Sequence, residues 1–138
     1  MSNSESKPLE RAAPERRPVV AVLEPDRPLR ALLREWLELA GYDYVDGRTA
    51  GALAAVLATG DVILIDVRAP LRSARQALAA VAAEAPHASI VATSADALAS
   101  GSLAAEAVAR ELGVAAVLVK PFDRNALMRA LEHARRQA

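Results

Sequence analysis

The sequence predicts an α/β fold, a five-stranded parallel sheet with helices on both faces. Three observations carry that prediction. Val19–Leu23, Val62–Ile65, Ile90–Ala92 and Ala115–Val119 are short, uninterrupted apolar runs, the pattern of strands buried on both faces. The stretches between them carry apolar residues at helical spacing. Strands and helices alternate at short intervals, five of each, as in crossover units, whose right-handedness leaves few topologies.

Residues 1–17 hold Ser, Glu, Arg and Pro with only Met1 and Leu9 as large apolar groups, so a disordered tail is expected there and a folded domain over 18–138. Val19–Leu23 is the first strand. Pro28 opens a helix whose Leu29, Leu32, Leu33, Trp36, Leu37 and Ala40 form one stripe, and Gly41 closes it as a left-handed cap. Tyr42–Asp46 is polar enough to be an edge strand. Thr49 caps a second helix carrying Leu53, Val56 and Leu57, which Gly60 closes. Val62–Ile65, ending in Asp66, is the third strand. Ala74, Ala77, Leu78, Val81 and Ala85 mark the third helix, stopped by Pro86. Ile90–Ala92 runs into Thr93 and Ser94. Leu103, Ala107, Val108 and Leu112 mark the fourth helix, with Gly113 as its cap. Ala115–Val119 ends at Lys120-Pro121, and Leu127, Ala130, Leu131 and Ala134 form the stripe of the fifth helix.

Composition removes several function classes. The chain has 138 residues, 17 basic against 17 acidic, and a formal net charge of zero. A nucleic-acid module usually carries a basic excess or stripe, so none is expected. With no Cys there is no disulfide framework, zinc finger or thiol chemistry. Four aromatic residues leave little for stacking on bases or sugars. The longest charge-free stretch, Thr49–Gly60, is too short to span a bilayer, and no signal peptide is visible. A cytoplasmic domain with no membrane partner is expected.

Ligands of open parallel sheets bind beyond the carboxyl ends of the strands. The residues there are Glu24-Pro25-Asp26, Asp66-Val67-Arg68, Thr93-Ser94 and Lys120-Pro121-Phe122. A carboxylate nucleophile, a hydroxyl and an ammonium to hold phosphoryl oxygens, and acids to hold Mg²⁺ suit phosphoryl chemistry. Each residue also has a plainer reading. Asp66 after a strand can cap a turn, Thr93 can be a turn hydroxyl, and Lys120 can be solvated. Lys120 stands out because Lys7 is the only other lysine in an Arg-using chain. The Gly residues form no phosphate-cradling loop, and no general acid–base pair or oxyanion arrangement can be placed at the strand ends, so a turnover enzyme is not expected.

From about Val19 to Arg135 the chain resembles the receiver domain of two-component response regulators, a flavodoxin-like (βα)5 fold. The resemblance rests on DVILID ending in Asp66, Pro70 four residues on, IVAT ending in Thr93, and VKPF around Lys120. It implies that Asp66 is the phosphoacceptor, that Thr93 and Lys120 bind the phosphoryl group, and that the Lys120–Pro121 bond is cis. It also implies Mg²⁺, a sensor histidine kinase or phosphotransfer protein as donor, and a downstream protein partner. The face of the fourth helix, fifth strand and fifth helix is expected to meet that partner, on the Ala- and Val-rich make-up of Ala115–Leu118 and Ala104–Val108. At this length no output domain is expected, and the balanced charge fits a monomer or a homodimer.

Several positions depart from the family pattern. Glu24 fills the first of two usually acidic positions, but Pro25 fills the second and has no side-chain ligand. Asp26 either leans in toward the metal or caps the helix that Pro28 opens. Arg68 stands where the family offers a backbone carbonyl to the metal; its side chain either substitutes for the cation beside Asp66 and Glu24 or points to solvent. Val117 takes the place of the family's switch aromatic, and Leu71-Arg72-Ser73-Ala74 replaces the usual Gly-x-Asp-Gly. Two functions follow: a stand-alone receiver phosphorylated at Asp66, or a phosphorylation-independent interaction module with a degenerate metal site.

Overall fold

Five strands, β1 (Val19–Leu23), β2 (Asp43–Asp46), β3 (Val62–Asp66), β4 (Ser89–Ser94) and β5 (Ala116–Val119), form one sheet in the order β2-β1-β3-β4-β5. Every neighbouring pair is parallel. The architecture comes from a computed structural model that describes residues 16–49, 51–55, 61–95 and 105–137, apart from the side chains of residues 54 and 55.

Successive side chains of a strand point to opposite faces of the sheet. Val19, Ala21, Ile63, Ile65 and Ala92 therefore build one core cluster, and Val20, Val22, Leu64 and Val91 build the other. All but Val19 lie within 5% of complete burial, which is why these strands read as unbroken apolar runs. The polar strand β2 lies at the sheet edge, as its composition predicts.

Helices α1 (Arg27–Leu39) and α4 (Arg124–Arg136) cover one face. Helices α2 (Leu71–Glu84) and α3 (Ala105–Leu112) cover the other. Leu33 and Leu37 of α1 and Leu127 and Leu131 of α4 are fully buried, each contributing about 2 kcal/mol by leaving water. The stripe of α1 is narrower than expected, because Leu32 is 40% exposed and Ala40 is the C-cap. Gly41 and Gly113 follow their helices with φ of +94° and +74°, the left-handed conformation predicted for Gly41 and shared by Gly113, the other expected cap.

The second helix departs from expectation. Between β2 and β3 the described residues hold a 3-10 helix, Ala52–Ala55, with Leu53 buried against the α2 side of the sheet. The expected contributions of Val56, Leu57 and Gly60 lie outside the described residues, as does Leu103 before α3. Four α-helices and this 3-10 turn thus stand among the described residues in place of five helices.

Arg16 and Arg17, expected in the disordered tail, are pinned to the fold. Arg16 donates to both carboxylate oxygens of Asp61 at 2.9 and 2.8 Å. Arg17 donates to the carbonyl of Gly41 at 3.1 Å and lies 3.4 Å from Asp43. Among the described residues, no helix is long and apolar enough to cross a membrane.

Candidate functional site

After β1 the chain adds β2 on one side and β3 on the other. The winding therefore reverses between β1 and β3, and the crevice opens beyond their carboxyl ends. Glu24 directly follows β1, and Asp66 is the last residue of β3. Register places Thr93 opposite Asp66 on β4, and a bond from the Val67 amide to the Thr93 carbonyl at 2.8 Å holds the two strand ends together. Lys120 follows β5, with its amide bonded to the Ser94 carbonyl at 2.9 Å. Four residues scattered over the sequence are thereby drawn to one end of the sheet.

Lys120 ties the group together. Its Nζ donates to Asp66 Oδ1 at 2.8 Å and to Glu24 Oε1 at 2.7 Å. The two carboxylate side chains are only 7% and 4% exposed and the lysine 17%, so these pairs are weakly screened. Burial alone would lower the ammonium's pKa. The hydrogen bonds to Asp66 and Glu24 outweigh it and hold the group above its ordinary value. A compact ammonium can sit between two carboxylates in this way, where a planar guanidinium would need more room.

Thr93 is the incomplete member. Its residue is 2% exposed, and its Oγ1 is buried without a hydrogen-bond partner. An unsatisfied buried hydroxyl costs about 1–3 kcal/mol, so its presence on the strand position opposite Asp66 calls for a reason.

The loop after β1 shows Asp26 in its capping role. It is the N-cap of α1, with its carboxylate accepting from the Leu29 amide at 3.1 Å, while its own amide donates to Glu24 Oε2 at 2.9 Å. Arg30 was not singled out by the sequence reading, yet it reaches back from α1 to the carbonyls of Glu24 and Pro25 at 2.9 and 3.1 Å and fixes this loop. Its position in the first turn of α1 was the available signal.

Arg68 has something of both readings offered for it. Its Nε lies 3.4 Å from Asp66 Oδ2 and its side chain is 74% exposed; no contact with Glu24 is found. The cation shared by Asp66 and Glu24 is Lys120, whose longer reach across β4 the sequence reading did not weigh. Pro121 follows in a cis Lys120–Pro121 bond.

Mg²⁺ takes near-octahedral oxygen coordination and usually enters through one or two free carboxylates. The donor set here does not match that need. Glu24 uses Oε1 on Lys120 and Oε2 on the Asp26 amide, Asp66 uses Oδ1 on Lys120 and has Oδ2 3.4 Å from Arg68, Asp26 caps α1 through Oδ2, and Pro25 offers no side-chain oxygen. Among the described residues, no group of three or more His, Cys, Asp or Glu is arranged to hold a metal ion.

The face formed by α3, β5 and α4, which correspond to the expected fourth helix, fifth strand and fifth helix, holds an open groove of about 700 Å³. Its lining includes Ala115, Ala116, Val117 and Leu118. Val108, Val117 and Leu118 are buried in the cores, and Ala104 lies outside the described residues. Glu106, Arg110, Arg129 and His133 form the exposed rim.

No family model and no curated protein matches this chain. Solved structures do. The chemotaxis protein CheY4 of Vibrio cholerae is 23% identical, with 86% of this chain and 99% of that chain covered at a TM-score of 0.64. A response regulator from Thermotoga maritima is 16% identical, covering 88% and 99% at 0.67. A CheY-like response regulator receiver domain protein from Methanospirillum hungatei is 18% identical, covering 88% and 96% at 0.65. The chain has the CheY-like, flavodoxin-like fold of response-regulator receiver domains.

Proposed function

We propose that this chain is a cytoplasmic receiver in phosphorelay signalling that accepts a phosphoryl group on Asp66. The observation that carries the reading is the buried Thr93 hydroxyl, left without a partner on the strand position opposite that carboxylate. A phosphoryl group on Asp66 would supply the acceptor oxygen that Thr93 lacks. It would also give Lys120 a new anionic partner at the site of its present 2.8 Å contact.

The donor is a phosphohistidine of a sensor kinase or phosphotransfer protein. An Asp66 carboxylate oxygen attacks the phosphorus, the P–N bond breaks, and the electron pair leaves with the imidazole nitrogen, which takes a proton. The product is an acyl phosphate, held by Lys120 and Thr93. Output is protein–protein contact at the α3, β5 and α4 face, whose charged rim suits a polar partner. The role is that of a phosphoacceptor rather than a turnover enzyme.

The test is intact mass after incubation with acetyl phosphate. One added phosphoryl group, absent in Asp66→Asn, is the expected result. No gain under any condition would overturn the reading in favour of a constitutive interaction module, which Pro25 and Val117 would then explain.

A further inference from the structure

We infer that Lys120 is the resident cation of this site, and that Asp66 is phosphorylated without a divalent metal. The inference rests on the receiver reading above and deepens it. A divalent ion joining β1 to β3 would have to lie between Glu24 and Asp66. The ammonium of Lys120 already lies there, 2.7 Å from one carboxylate and 2.8 Å from the other. The second oxygen of Glu24 is occupied by the Asp26 amide at 2.9 Å, and that amide is fixed because Asp26 caps α1. Arg30 holds the carbonyls of the same loop, so the loop is not free to turn its oxygens inward. Pro25 contributes no side-chain donor. Adding a dication would therefore mean displacing a doubly paired ammonium, and the Asp66 oxygen outside those pairs, Oδ2, faces the Arg68 guanidinium at 3.4 Å.

Metal-free transfer remains balanced in atoms and charge. With acetyl phosphate as donor, an Asp66 oxygen bonds to phosphorus, the P–O bond to the acetyl group breaks, and acetate leaves with the electron pair. Lys120 passes its contact from Asp66 Oδ1 to a phosphoryl oxygen while keeping Glu24. Thr93 donates to a second phosphoryl oxygen. Arg68, 3.4 Å from Asp66 Oδ2 and 74% exposed, is placed to meet the incoming anion from the solvent side. One ammonium and one guanidinium then face the dianionic phosphoryl group, the neutralisation that a metal would otherwise provide.

Two measurements on the full chain test this. The first is the time course of mass gain from acetyl phosphate in excess EDTA and in millimolar Mg²⁺. Equal rates are expected. A gain only with Mg²⁺ overturns the inference and leaves the receiver reading standing, whereas no gain in either condition overturns the receiver reading itself. The second uses Mn²⁺ as the probe ion, following loss of its free electron paramagnetic resonance signal, and needs no phosphorylation. Wild type should leave millimolar Mn²⁺ free, and Lys120→Ala should bind it at least about tenfold more tightly, since a like charge within a few ångströms is removed. Mn²⁺ binding by wild type overturns the inference, a result independent of whether the variant folds. Folded Lys120→Ala binding no better than wild type overturns it too.

Discussion

Each end of strand β3 buries a carboxylate, and the two ends are finished differently. At the amino end, Asp61 is 0% exposed; Arg16 donates to both its oxygens and the Val19 amide adds a third bond at 2.9 Å. The arginine is 47% exposed, so the charge is compensated without burying a second ion completely. At the carboxyl end, Glu24 and Asp66 share a single ammonium, and the Thr93 hydroxyl has no partner. The first end is matched group for group and holds the N-terminal segment against the sheet. The second leaves the Thr93 hydroxyl without an acceptor and gives Asp66, besides Lys120, only an exposed guanidinium 3.4 Å away. Buried polar groups are normally satisfied, so the unpartnered hydroxyl is what supports the proposed phosphoryl site at this end.

Breaking the carboxyl end should cost most. Lys120→Met leaves two nearly buried carboxylates without their cation and should lower stability by about 3 kcal/mol in urea unfolding at neutral pH. The Lys120 ammonium is held above its ordinary pKa by its carboxylate partners against the effect of burial. Its contribution is therefore fully present at neutral pH and is lost only as pH rises through that raised value. The difference between wild type and variant should be flat near neutrality and shrink in strong alkali.

Breaking the amino end should cost less. Asp61→Ala orphans the Val19 amide inside the sheet end, at about 2 kcal/mol by the same measurement. Arg16, half exposed, turns to water. Phosphoryl gain at Asp66 should be unchanged, because the two sites lie at opposite ends of β3.

Arg68→Ala gives the smallest effect, below about 0.5 kcal/mol, since its 3.4 Å pair with Asp66 is largely in solvent. A loss as large as that of Lys120→Met would show that the guanidinium, not the ammonium, is the shared cation.

The strands and most helices were legible because their signals are local. Val62–Ile65 can be nothing but a buried run, and Leu127, Ala130, Leu131 and Ala134 repeat at helical spacing and are all buried in α4. Asp66, Thr93 and Lys120 were legible because topology alone sends strand ends to one place. The pairings among them were not. Sequence distance favoured Arg68 for Asp66 at two residues, while Lys120 lies 54 residues away and reaches across β4. Asp61 gave no signal, since an acid before an apolar run reads as a turn residue and its partner Arg16 sits in a stretch with no apolar pattern. The 3-10 turn at Ala52–Ala55 was hidden because alanine and leucine suit either helix type.

The contrast between a closed end and an open one is tested most directly by the unfolding midpoint of Thr93→Val in urea. This swap keeps the shape of the side chain and removes the unpartnered hydroxyl. If the hydroxyl is held unsatisfied for an incoming phosphoryl group, the variant should be more stable than wild type by about 1 kcal/mol. A variant less stable than wild type would mean that the hydroxyl is already bonded in the resting protein, and that the carboxyl end is as closed as the other.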